Sequence, residues 1–155
     1  MKKILLSFKP FWFDKIKSGE KIYEYRRRFC NEPVMAYGYV SRPVMAVTGI
    51  LILDKRIALS DWYDSFKEID GMADRINKYM ETNSFAMPVL KFIPTTEIPL
   101  KQLQNNIDGF KAPQSYYNLA EGSELLSYIE NNITILEGAF NNDFTTISFN
   151  KICSK

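Results

Sequence analysis

The sequence predicts a small α+β domain, rich in β: a mostly antiparallel barrel with helices at its periphery. Three observations carry that expectation. Short apolar runs bounded by turn residues recur along the chain, at residues 4–8, 34–40, 44–54 and 85–93. One helical pattern stands early, after Pro10, and a helical insertion at 59–80 separates two of the strand-like runs. Finally, 155 residues with 46% hydrophobic and 25% charged side chains suit one domain. A domain of that length buries roughly 70% of its unfolded surface and needs no disulfide or metal to hold it.

Taken in order, residues 4–8 end at Lys9-Pro10 and read as the first strand. Pro10 suits the first turn of a helix running to Ser18, with Phe13, Ile16 and Lys17 on one side. Gly19 stops that helix. Residues 21–28 make the next strand, in which alternation sends Tyr23 and Tyr25 to one face, as core, and Glu24 and Arg26 to the other. Lys21 has the parity of the tyrosines, but it lies at the turn, where a bulge or twist brings its amine toward Glu24. Residues 34–40 form a third strand, Ser41-Arg42-Pro43 a tight connection, and residues 44–54 a long apolar strand with Gly49 as a bulge or close-approach point.

Two helical patterns follow. The first holds Trp62, Phe66 and Ile69; the second runs over 72–80, after Gly71, with Ile76, Tyr79 and Met80 on one face. Residues 85–93 are another strand, 100–105 a short helix, and 109–117 a loop with aromatics. Ser123 caps a helix to Asn131. Two strands are expected in the tail, around Ile133-Ile135-Leu136 and Thr146-Ile147-Phe149.

The composition removes several chemistries. Without histidine there is no cysteine-histidine zinc site and no Ser-His or Cys-His catalysis. Cys30 and Cys153 lie far apart and fit no metal spacing, so neither cofactor nor metal is expected. The apolar run after Lys2-Lys3 is too short for a signal peptide, and no run reaches the roughly 20 residues that span a bilayer. A cytoplasmic protein with no membrane partner is the expectation. The net charge of +2 conceals an asymmetry: residues 1–60 hold 12 Lys/Arg against 5 Asp/Glu, and residues 61–155 hold 8 against 13. A basic half suits a polyanion, although solvated acidic helix faces would produce the same numbers.

Within the basic half, Gly19, Lys21, Glu24 and Arg26 spell G-x-K-x-x-E-x-R at the exit of the first helix. Charges of both signs beside two tyrosines suit a pocket for an anionic or polar ligand. The order of residues 5–10, 15–21 and 23–27 around that motif resembles the ASCH domain of the PUA-like superfamily, whose signature it is. Residues 40–44 with 47–49 resemble the family's second block, and Gly109-Phe110 with Pro113-Gln114-Ser115-Tyr116 a third. The resemblance covers residues 1–120 as an ASCH domain and leaves 121–155 as a C-terminal extension packed on the same domain. It implies a small β-barrel with a cleft beside the early helix, and a module, regulatory in role, that binds single-stranded RNA or a modified nucleotide. It names no protein partner.

Lys21, Glu24 and Arg26 are the expected ligand-binding core. Arg26 would hold a phosphate or a base edge in fork geometry, Glu24 would accept from an exocyclic amine, and Lys21 would add a point charge. An internal ion-pair network closing one barrel end is the structural alternative. Arg27 alternates outward, so Arg27 and Arg28 are rim contacts to phosphate or plain solvated charge. Phe11 and Trp12 offer stacking faces or pack on the barrel. Ser41 and Arg42 enter with the second block. Gln114 can pair with a base edge, Ser115 can bond broadly, and Tyr116 can stack; the same loop could simply plug the barrel. A second functional reading follows from the same resemblance. Some small ASCH-like proteins are metal-independent amidohydrolases of acetylated cytidine, using a Lys, a Thr and a Glu. Lys21 matches the lysine, Glu24 stands where the threonine would be, and Asp54 is a stand-in for the distant acid. On that reading a Lys21–Glu24 pair would be catalytic, with Glu24 activating a water.

Overall fold

The computed structural model describes residues 1–154. Its strands are β1 (Lys2–Phe8), β2 (Tyr23–Arg26), β3 (Val34–Val40), β4 (Ala46–Leu53), β5 (Ile57–Ala58), β6 (Phe85–Ile93), β7 (Ile98–Pro99), β8 (Tyr116–Asn118) and β9 (Phe140–Asn141). The helices are α1 (Pro10–Lys17), α2 (Leu59–Phe66), α3 (Met72–Met80), α4 (Leu100–Asn106) and α5 (Glu124–Asn132). One nine-stranded sheet runs in the order β2-β6-β4-β3-β1-β8 and curls into a half-barrel, an α+β fold rich in β. All pairings are antiparallel except β1 with β3. Among the described residues no helix is long and apolar enough to cross a membrane.

Aromatic packing seats α1 in the mouth of the half-barrel. Phe13 and Ile16 are buried, and Phe13 lies between Phe8 and Phe92 with ring centroids 5.4 and 5.8 Å away. Two glycines make room for it. A Cβ on Gly38 would stand 2.9 Å from the Phe13 ring, and one on Gly49 would stand 2.8 Å from it. Gly49 has φ +79°, and the β3–β4 register shifts opposite it, so the expected bulge is present. Lys17, expected on the packed side, is exposed. Its place in the helical period is at the edge of the buried stripe, and its ammonium stays in water.

On the other side of the sheet, α2 and α3 cover β2. Leu59, Trp62, Met72 and Ile76 pack with Tyr23, Tyr25 and Ala86, so both tyrosines are buried in the core, and Tyr25 also reaches the cleft wall. The helix α5 begins at Ser123, whose hydroxyl accepts from the Leu126 N–H at 3.2 Å, and it buries Leu126 and Ile129 against β3 and β4 residues. Residues 121–154 thus reach all three core clusters, because Ile152 and Cys153 join the α2–α3 cluster and Phe140 packs on the one around Phe13 and Phe92.

Two boundaries differ from expectation. The motif strand is only Tyr23–Arg26, because the Gly19 turn uses up Lys21 and Ile22. The tail does not form the two expected strands. Ile135 makes a single bridge to Thr95, a short strand appears instead at Phe140–Asn141, and Phe149–Lys151 is one turn of 3-10 helix. The alternating Ile135 and Ile147 are 62% and 55% exposed, so their pattern faces no core. Asp143 accepts from the Thr145 N–H and hydroxyl at 2.9 and 2.7 Å, a local bond that competes with strand pairing.

Candidate functional site

The turn from α1 into β2 builds the site. Ser18 ends the helix, Gly19 takes φ +80°, and its N–H donates to the Ile16 carbonyl at 3.1 Å. The Lys21 N–H then donates back to the Lys15 carbonyl at 3.0 Å, which folds Lys21 over the helix end. From there its ammonium reaches 2.9 Å to Glu24 Oε1 and lies 4.9 Å from the centre of the Trp12 ring.

Glu24 is 4% exposed. Its Oε1 accepts from Lys21 and from the Tyr25 N–H at 3.0 Å, and its Oε2 accepts from Arg26 Nη2 at 3.3 Å. Burial pushes the Glu24 pKa up, but Lys21, Arg26 and the Tyr25 N–H outweigh burial, and the carboxyl ends below its usual value. Arg26 Nη2 also donates to the Ser7 carbonyl at 2.5 Å, spanning from β2 to β1, and its guanidinium lies 5.5 Å from the Phe8 ring centre. The motif is therefore an ion-paired triad with one surplus positive charge, framed by aromatics.

The triad lies in a cleft of about 900 Å³, within the range of small-molecule sites. Phe8, Phe11, Trp12, Tyr25 and Tyr79 give it a largely apolar wall. Tyr79 is a half-buried phenol pushed up to about 12 by desolvation, so it stays protonated, and its hydroxyl donates to the Ser154 carbonyl.

The structure distributes the expected site residues unevenly. Lys21, Glu24, Arg26, Ser41 and Gln114 line the cleft. Gly19 shapes the turn and packs on Phe140, and Arg42 is exposed outside the cleft lining. The Ser115 carbonyl accepts from the Ser7 N–H at 2.9 Å, and the Tyr116 ring packs on Phe29 at 5.0 Å; neither lines the cleft. Arg27 donates to the Glu81 carbonyl at 2.9 Å on the surface. Asp54 lies outside the cleft and accepts from the Lys55 N–H at 2.8 Å. Sequence reasoning missed the far wall: Lys78, Tyr79, Glu81, Thr82 and Asn83, at the end of α3. Only the position of Tyr79 on a helical face hinted at it. Among the described residues no three His, Cys, Asp or Glu side chains gather as a metal site.

The chain thus combines a curled β-rich half-barrel, a helix in its mouth and a charged cleft beside that helix. No family model matches the sequence, and no curated protein does. Solved structures do match. The crystal structure of the ASCH protein from Zymomonas mobilis is 24% identical, with a TM-score of 0.63, over 86% of this chain and 96% of that one. Two single-substitution variants of the same protein match at 23% identity, with TM-scores of 0.62 and 0.63 over 86% of this chain and 97% and 100% of theirs. The chain has the ASCH fold. At these identities the likeness is one of fold alone.

Proposed function

We propose that the chain is a binding module for single-stranded RNA or a modified nucleotide, seated in the cleft around Lys21, Glu24 and Arg26. One observation carries the reading. A largely apolar, aromatic-walled cleft of nucleotide scale holds two cations kept in place by one buried carboxylate. Phe11, 59% exposed, and Trp12 offer stacking faces, worth about 1–3 kcal/mol per base. Lys21 has two N–H groups left after its bond to Glu24, and Arg26 keeps its Nε and Nη1 donors for a phosphate or a base edge. Glu24 holds the two cations and is not itself the group that reads an amine.

The hydrolytic alternative gains no support from the geometry. A general base for water works best with a pKa near the operating pH. The Glu24 pKa moves down, away from that range, because Lys21 and Arg26 hold the carboxylate ionised.

Fluorescence anisotropy of labelled single-stranded RNA tests the reading. Affinity should fall along a straight line as log salt rises, as counterion release requires. Arg26→Ala should cost about 1–3 kcal/mol and relax discrimination among sequences; Arg27→Ala should weaken all sequences alike or none. A flat salt response, equal losses in both variants, or turnover of acetylated cytidine that Lys21→Ala abolishes would overturn the binding-module reading.

A further inference from the structure

A second cavity of about 170 Å³ adjoins the cleft. It opens between the end of α1 and the C-terminal strap, residues 149–154, and Trp12 and Lys21 line both spaces. The two differ in character: the cleft wall is mostly apolar, the small cavity mostly polar. Lys15, Lys21 and Lys151 surround the cavity, with Glu20 as the single acidic side chain among the described residues that line it.

The donors there have capacity left. Glu20 is already paired with Lys15 at 3.0 Å. Lys151 spends one N–H on the Glu20 carbonyl at 2.9 Å and keeps two. The side-chain oxygen of Asn150 accepts from the Ser148 hydroxyl at 2.5 Å, which leaves its NH₂ without a protein partner among the described residues. The Ser154 hydroxyl also lines the space.

Lys151 does not sit on a loose tail. Arg75 Nη1 donates to the carbonyls of Phe149 and Ile152 at 2.7 and 3.0 Å, and the Cys153 N–H donates to the Tyr25 hydroxyl at 2.7 Å. Ile152 and Cys153, on its C-terminal side, are buried. The strap is therefore fastened both to α3 and to a tyrosine of the cleft wall.

We propose that this cavity is a phosphate subsite, which takes the phosphate of a nucleotide whose base lies in the cleft, so that the ligand straddles Trp12. The proposal rests on the nucleotide reading above and narrows it to phosphorylated ligands. The cavity is well below the roughly 300–1,000 Å³ of an ordinary small-molecule site, so it suits one small group and no base. Ammonium donors around a compact volume suit a phosphate, whose oxygens accept charge-assisted hydrogen bonds.

Calorimetric titration of the whole chain with cytidine and adenosine, and with their 5′- and 3′-monophosphates, tests it. Wild type should prefer a monophosphate over its nucleoside by at least about tenfold, the factor one charge-assisted bond supplies. Lys151→Ala and Lys151→Gln should both lose most of that preference and leave nucleoside affinity unchanged. Glutamine keeps a donor for the Glu20 carbonyl, so it separates loss of charge from loosening of the strap. A preference that survives in both variants, or is lost only in Lys151→Ala, would overturn the subsite. Nucleoside binding with no phosphate preference in wild type would sink the subsite and leave the cleft reading standing. Binding of neither nucleoside nor monophosphate would sink both.

Discussion

One carboxylate holds two cations at the centre of this cleft, and that arrangement gives Glu24 a predictable pH signature. Its pKa is lower in the folded chain than the ordinary value of 4.5. A depressed carboxyl stabilises the fold above its unfolded pKa, and that contribution is lost as pH falls through the folded pKa. Wild-type stability should therefore hold above about pH 4.5 and decline below it. Glu24→Gln should remove this part of the decline and destabilise the neutral protein by about 3 kcal/mol, the lower end of what breaking a buried pair costs. Urea unfolding of both proteins from pH 2 to 7 measures it; equal pH slopes would show that the triad adds nothing to folding. Arg26 and Lys21 are 18% and 11% exposed, so the cations left behind are not freely solvated.

The element that matters most is α1, and Phe13 is what fixes it. Removal of that ring leaves a void between Phe8, Phe92 and the two glycines. Phe13→Ala should cost about 3–5 kcal/mol in chemical denaturation. Because Trp12 is the preceding residue, its fluorescence, read in a Trp62→Phe background, should also become more easily quenched in the native state. Unchanged quenching would mean that α1 is held by other contacts. Much at this scale was legible in the sequence. The apolar runs at 34–40 and 85–93 have the bounds of β3 and β6, Pro10 and Gly19 bracket α1, and Ser123 caps α5. Even the return of Lys21 to Glu24 followed from the turn before β2. The far wall of the cleft was not legible. Tyr79 comes from a helix, and Asn83 from the turn after it, and the helical pattern says only that one face is buried, not which neighbour it meets. The tail misled for a different reason: Ile135 and Ile147 alternate as a strand would, yet local bonds of Asp143 and exposure to water decide its shape.

At the scale of the molecule, residues 121–154 are shared structure. Leu126 and Ile129 complete one core cluster, Ile152 and Cys153 another, and β9 pairs with β6 at Lys91–Phe92. The chain should unfold in one cooperative step. Far-ultraviolet circular dichroism and tryptophan fluorescence should give coincident melting curves. A separate early transition, with residues 121–155 cut first by a protease at that temperature, would mark them as an independent attachment.

The shared carboxylate of Glu24 also makes the order of genetic change matter. If Lys21 is lost first, the carboxylate still accepts from Arg26 and from the Tyr25 N–H, and the intermediate is tolerable. If Glu24 is lost first, two half-hidden cations face each other with no counter-ion. A lineage leaving this motif therefore has a shallow route through the lysine and a steep one through the glutamate. A descendant that lacks the glutamate should have shed or neutralised the lysine before it.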